Sequence, residues 1–297
     1  MLTASLPLFD LILSERIMKI LLIGHSVFDT ILRNDMTINS PGGIFYSARQ
    51  IKLLCSDDDE LFLLTQTDNN TKEYFLPVYS KFNCDFIEEV DAIPAVKLIV
   101  DDKNERREIY SNRTSKLSID KIDFSKFDAI LINMITGNDI NQDDLKFIRS
   151  KTSAIILFDV HTLSRPMDEN GERIFTVIEN FSEWAKNIDI LQSNQNEFNT
   201  LGKFDSEYDR ARYLLQQGVK IILLTKGDLG AKIFYWKDDE MMSYFISANI
   251  IVNPNTVGCG DIFGASFFYN YIRNRNVYQS LSFAINKTED FLKEKVG

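Results

Sequence analysis

The sequence predicts an α/β fold built on a mostly parallel central sheet, and three observations lead there. Short apolar, β-branched runs recur along the chain, and stretches of helical pattern separate them. The 297 residues are 44% hydrophobic and 26% charged, which supplies a large buried core. KILLIG (19–24) is the first strand. GIFYSARQIKLL (43–54) follows as a helix, ELFLLTQ (60–66) as a strand, and TKEYFLPVYSKF (71–82) as a helix unsettled by Pro77. DAILIN (128–133) is the next strand, before a helix from about Gln142 to Ser150 and the strand SAIILFDV (153–160). The second half keeps the rhythm: helix RIFTVIENFSEWAKN (173–187), strand IDILQS (188–193), helix SEYDRARYLLQQG ending on Gly218 as a left-handed C-cap, and strand KIILLTKG (220–227). AKIFYW and MMSYFIS form an antiparallel pair, and two helices, about 260–274 and 277–295, finish the chain.

One region breaks the alternation. AVKLIVDDKNERREIYSNR (95–113) has two strand-like runs joined by the polar tract 101–105, a hairpin signal. With the extended stretch after Asp29 it forms a small sheet standing off the main body, either a decorative surface element or a lid over a pocket. Residues 18–297 therefore read as one domain, with lid strands from about 29–40 and 93–114. Residues 1–17 read as an N-terminal extension, disordered or a mis-assigned start ahead of Met18.

Charge narrows the function. With 33 basic against 43 acidic residues, the net charge of -10 argues against nucleic acid and anionic membrane as partners. Cys55, Cys84 and Cys259 are far apart, without metal or disulfide spacing, which suits a reducing cytoplasm. The opening MLTASLPLFDLILSER lacks a basic n-region and carries Asp10, so it is a poor signal peptide. No run approaches the ~20 apolar residues that span a bilayer.

The chemistry gathers in NTVGCGDIFGASF (255–267). Gly258 and Gly260 let successive amides face one concavity at the start of a helix, which makes an anion site. A carboxylate there would oppose a bound phosphate unless Asp261 acts on a transferring phosphoryl group's partner, accepting the proton of an attacking hydroxyl. The plainer alternative is an acid favoured by the helix dipole, with glycines as turn punctuation. A dinucleotide fingerprint fails on spacing and on the missing strand after it. Cys259 as a nucleophile lacks a partner, because His25 and His161 are the chain's two histidines and neither sits in a thiol-enzyme motif.

With SPGGIFYSA (40–48), SNQNE (193–197) and LLTKGDLGA (223–231) added in order, the chain resembles the ribokinase-like, or PfkB-type, carbohydrate kinases over residues 18–297. That resemblance implies a ribokinase-like three-layer α/β/α fold with a small β lid. It also implies ATP-dependent transfer of the γ-phosphate to a hydroxyl, a primary alcohol, of a sugar or sugar-like substrate, with Mg2+. The family signature D-T-x-G-A-G-D stands here as N-T-V-G-C-G-D. On it, Asp261 matches the catalytic base, and the amides of Gly258, Cys259 and Gly260 match the anion hole. Asn194 and Glu197 match the N-x-x-E motif that holds magnesium largely through water, although the same pair would serve as a helix N-cap and capping-box glutamate. Thr225 and Gly227 match the T-x-G turn at the nucleotide, and Asn286 aligns with a residue near the adenine. Asp29, Gly42 and Gly43 match the groups that meet the sugar, and relatives often dimerise through the lid, so a homodimer is implied too.

Departures refine this expectation. Asn255 replaces the acid that in many relatives helps hold a monovalent cation, which puts potassium activation in doubt. Ile44 and Ser47 make the substrate loop more apolar than that of a typical ribose kinase. FDVHTLSRP (158–166) replaces a D-x-N-x-R pattern, with His161 and Arg165 facing the substrate or serving structure. A nucleoside kinase of the same fold, with room for a base beside Ile44 and Phe45, is the first alternative. A catalytically weak sugar or nucleotide sensor is the second.

Overall fold

The apolar runs pair as parallel strands because both their faces are covered by helices. In the computed structural model, which describes residues 16–33, 36–99, 107–112, 114–167, 173–252 and 254–295, two sheets are present. The strands are β1 (Lys19–Ile23), β2 (Ser26–Arg33), β3 (Met36–Gly43), β4 (Glu60–Thr67), β5 (Ile87–Glu89), β6 (Ala95–Ile99) and β7 (Arg107–Ser111). They continue with β8 (Ala129–Asn133), β9 (Ile155–Asp159), β10 (Ile190–Asn194), β11 (Ile221–Thr225), β12 (Gly230–Lys237) and β13 (Glu240–Ser247). The helices are α1 (Phe45–Leu54), α2 (Lys72–Tyr79), α3 (Gln142–Lys151), α4 (Ser182–Ala185), α5 (Gln195–Asn199), α6 (Glu207–Gln216), α7 (Cys259–Asn274) and α8 (Val277–Glu294).

The nine-stranded sheet runs β13-β12-β11-β10-β9-β8-β1-β4-β5. Every pairing from β5 to β11 is parallel, and β12 and β13 add an antiparallel ribbon. Alternation along the strands divides the core. Leu21, Ile130, Phe158, Leu191 and Ile222 pack with α3, α4 and α6. Ile20, Leu131, Leu157, Ile190 and Leu223 pack with α1, α2, α7 and α8 on the other face. The result is a three-layer α/β/α body. Its strand order reverses at β1, which has β4 on one side and β8 on the other, and ligands in such sheets bind beyond the carboxyl ends of the strands at the reversal.

The second sheet runs β3-β2-β6-β7. Its apolar side chains Val27, Ile31, Val96 and Leu98 pack with Tyr46, Ile135, Val257, Ile262 and Phe291, so it lies over the mouth of the main body. The polar tract 101–105 and residues 1–15 fall outside the described residues.

One expected helix is mostly absent. Of residues 173–187, Ser182–Ala185 alone is α-helical. The amides of Ile174, Thr176 and Ile178 donate instead to the carbonyls of Pro166, Ser164 and Thr200, so neighbouring loops take the partners a helix would have used. The β-branched Ile174, Thr176, Val177 and Ile178 suit that extended path. Gly218 follows α6 with φ 123, a value that favours glycine.

Candidate active site

At the carboxyl edge of the sheet, α7 begins beside the ends of β8, β9 and β10. Gly258 is its N-cap with φ 83, and a Cβ there would stand 2.6 Å from the Tyr46 ring. Only glycine lets the turn sit down on that ring. Gly260 is different, since a Cβ added to it would have no heavy atom within 4 Å. The Cys259 amide donates to the Thr256 carbonyl at 3.1 Å and closes the turn. This narrows the expected anion hole: Gly258 and Gly260 are left as amides without a backbone acceptor among the described residues.

Asp261 lies in the first turn of α7 and is buried. Asn133, ending β8, donates from Nδ2 to its Oδ1 at 2.7 Å, and also to Ser47 Oγ of α1 at 3.1 Å. The carboxylate is thereby fixed facing a cavity of ≈ 40 Å³ that it shares with Asp29, Gly43, Tyr46, His161 and Gly258. Asp29 reaches the cavity from β2 because Gly42, on the paired strand, has no side chain. A Cβ at Gly42 would fall 2.0 Å from Asp29 Oδ2. Gly43, with φ 65, lets the chain turn into α1 against the His25 carbonyl, 2.4 Å from where a Cβ would be. The remaining walls, Val27, Val96, Leu98, Ile135 and Val257, are apolar.

Of the two histidine-loop residues, His161 lines this cavity, while Arg165 is buried with its guanidinium 5.6 Å from the Phe175 ring centroid. His25 is structural. Its Nδ1 lies 3.0 Å from Asp139 and its Nε2 3.0 Å from the Ser115 carbonyl. Burial works to raise the Asp139 carboxyl, yet His25 and nearby amides hold it below the usual carboxylate range.

Asn194 and Glu197 form a full capping box at the junction of β10 and α5. Glu197 N donates to Asn194 Oδ1 at 2.9 Å, and Asn194 N donates to Glu197 Oε2 at 2.8 Å. Burial, then the charges of Glu197 and Asp261, push the Asp159 carboxyl well above its usual range, which places three carboxylates within electrostatic reach. Thr225 pairs with Asn194 across β10 and β11, so the T-x-G turn adjoins this cluster, and Gly227 takes φ 60 with open space around it. Asn286 is exposed on α8, and no hydrogen bond ties it to that turn among the described residues.

Sequence reading passed over Asn133, Asp159, Gln192 and Lys295. Gln192 Nε2 donates to Asp159 Oδ2 at 3.0 Å and to the Gly260 carbonyl at 2.9 Å, bracing the turn from below. Gly264 is glycine beside it, since a Cβ would meet Gln192 Oε1 at 2.0 Å. The available signal was a polar residue closing an otherwise apolar strand, as in AILIN and IILFD.

This arrangement, a helix N-terminus and carboxylates at the reversal point of a three-layer sheet, belongs to the ribokinase-like class of fold. A pyrophosphate-dependent kinase of the ribokinase family, complexed with a pyrophosphate analogue and myo-inositol, superposes with TM-score 0.75 at 17% identity, covering 92% of this chain and 94% of that one. Arabidopsis thaliana ribokinase, complexed with ribose and ATP, gives 0.69 at 16% identity, covering 94% and 93%. A cytidine kinase of Thermococcus kodakarensis is 25% identical over 112 residues, 38% of this chain and 40% of the length of that relative. The family model for pfkB family carbohydrate kinases matches residues 79–286. The chain belongs to the pfkB family of carbohydrate kinases.

Proposed function

We propose that this protein transfers the γ-phosphate of ATP to a hydroxyl, a primary alcohol, of a sugar-like molecule held between Asp29 and Asp261. The observation that carries the proposal is Asp261 fixed by Asn133 at 2.7 Å, at the N-terminus of α7, in one cavity with Asp29. The acceptor oxygen attacks the γ-phosphorus and its proton passes to Asp261, while the bond from that phosphorus to the bridging oxygen breaks and ADP leaves. The amides of Gly258 and Gly260, with the positive end of the helix dipole, stabilise the phosphoryl oxygens. Thr225 and Gly227, with Asn286, line the nucleotide. Val27, Val96 and Leu98 of the small sheet exclude water when it closes as a lid. The ≈ 40 Å³ beneath them admits about one water, so an acceptor requires that lid to open.

Asn194 and Glu197 would hold Mg2+. The donor set fits, being all oxygen and rich in carboxylate, with Asp159 nearby. Among the described residues no three His, Cys, Asp or Glu side chains are grouped to hold a metal ion. When bound, the ion neutralises phosphate charge. A cytoplasmic location and pairing of two copies through the lid belong to the same proposal. Among the described residues no helix is long and apolar enough to cross a membrane.

The apolar cavity walls favour a second reading, phosphorylation of a nucleoside, to which the cytidine kinase relative also leans. An assay over ribose, other sugars, myo-inositol and cytidine, reading ADP release with ATP as donor and orthophosphate release with pyrophosphate as an alternative donor, separates the readings. Release with ribose or another sugar supports the first and release with cytidine alone the second, whereas release with myo-inositol, whose hydroxyls are all secondary, would keep the kinase and overturn the primary alcohol. Binding without turnover would leave a sensor.

A further inference from the structure

Lys295, at the C-cap of α8, sends its side chain to the back of the α7 turn. Its Nζ donates to the Val257 carbonyl at 2.6 Å. On the way it passes the Phe291 ring, 4.3 Å from the centroid, and the Tyr46 ring, 5.1 Å away. Tyr46 is the same ring on which Gly258 rests. The ammonium is thus built into the site's foundation. Burial lowers it to about 8, with Cys259 opposing, Arg49 assisting, and Asp29 and Asp261 opposing.

The Val257 carbonyl and the Gly258 amide are two ends of one peptide group. A cation on the oxygen draws electron density across that group and makes the N–H at the far end a stronger donor. Beside it, Asn255 Oδ1 accepts from Val257 N at 3.2 Å, so the turn is fastened there by a neutral side chain. With an ammonium already on the carbonyl, a second cation at the same place would be repelled.

Resting on the phosphoryl-transfer reading above, we propose that Lys295 is a positioning residue whose ammonium polarises the Val257–Gly258 peptide. It acts as a built-in cation for the anion-binding turn in place of an added monovalent ion. A lysine that served packing alone would hold α8 to α7 without affecting what the turn binds.

The test uses calorimetric affinity for Mg·ADP with aluminium fluoride, which mimics the transferring phosphoryl group, against plain Mg·ADP, which leaves that position empty. Tetramethylammonium is the sole monovalent cation. Lys295→Met is expected to bind the fluoride complex about tenfold more weakly, as loss of a charged hydrogen bond implies, and plain Mg·ADP as the wild type does. Lys295→Arg restores the affinity, and KCl leaves the wild type unchanged. Lys295→Gln substitutes if the Met variant does not fold. The proposal is overturned if the neutral variant binds the fluoride complex normally, if it loses plain Mg·ADP by the same factor, or if the wild type needs potassium. If the wild type binds neither complex, the kinase reading itself fails and takes this proposal with it.

Discussion

Gly258→Ala and Gly260→Ala alter the same turn by one methyl group each and should have opposite consequences. At Gly258 the φ of 83 is a left-handed value that costs a residue with a Cβ about 1–2 kcal/mol. The new Cβ would also lie 2.6 Å from Tyr46 Cγ and Cδ1 and 2.9 Å from Cδ2, well inside ordinary carbon contact. Tyr46 cannot slide freely, because its ring meets Phe45 at 5.9 Å and Phe291 at 6.1 Å between centroids. Overpacking of this kind adds about 1–3 kcal/mol, so Gly258→Ala should lose about 2–5 kcal/mol in all. At Gly260 φ is not positive and the Cβ meets nothing within 4 Å. Replacing a helical glycine there should leave stability unchanged or raise it by up to about 1 kcal/mol. Its methyl would nonetheless occupy the open side to which the proposed function assigns the phosphoryl oxygens, so the rate of transfer should fall. Urea denaturation followed by circular dichroism gives the stabilities, and ADP release gives the rates. A Gly258→Ala protein as stable as wild type would refute the packing argument. A Gly260→Ala protein with full activity would refute the amide cradle.

Gly42→Ala should drive the Asp29 carboxylate from the cavity, since the methyl would take the place of Oδ2 at 2.0 Å. The expected result is a KM for acceptor raised about tenfold or more with KM for ATP unchanged, on the scale of one lost charged hydrogen bond. Lys295 gives a pH signature of two signs. Its ammonium titrates at about 8 when folded and near 10.5 when unfolded, so between those values the unfolded chain holds the extra proton and this group's contribution to stability rises with pH. Over the same window the turn loses its cation and affinity for the aluminium fluoride complex should fall. Arg49 of α1, Asp29 of β2, and Cys259 and Asp261 of α7 face the ammonium, so the comparison is made between wild type and Lys295→Met at each pH. Parallel pH curves for the two proteins would contradict the assignment.

Much of this architecture was legible because its signals are local. The buried strands announce themselves as unbroken apolar runs, α7 by the glycines before it, and the small sheet by a polar tract between two β-branched segments. Residues 173–187 misled for the same reason: an apolar spacing compatible with helix says nothing of the carbonyls of Ser164, Pro166 and Thr200 that claim its amides. At the candidate site, the sequence offers the motif residues as candidates but not the side chains that hydrogen-bond to them. Asn133 meets Asp261 across 128 residues, and Gln192 meets Gly260 across 68. Such partners depend on the completed sheet, so no window of sequence contains them. The N-x-x-E motif showed a further limit, because one spacing serves both a capping box and a cation, and the cap is the role whose hydrogen bonds are formed.

The role of Asp261 is tested most directly by the Asp261→Asn variant, in which Asn133 still faces an oxygen at position 261. Single-turnover transfer to whichever acceptor releases ADP with the wild type should slow by about 10² to 10⁴, the scale of a lost general base, while affinity for Mg·ATP is retained. Transfer at the wild-type rate from a folded Asp261→Asn protein would contradict the account.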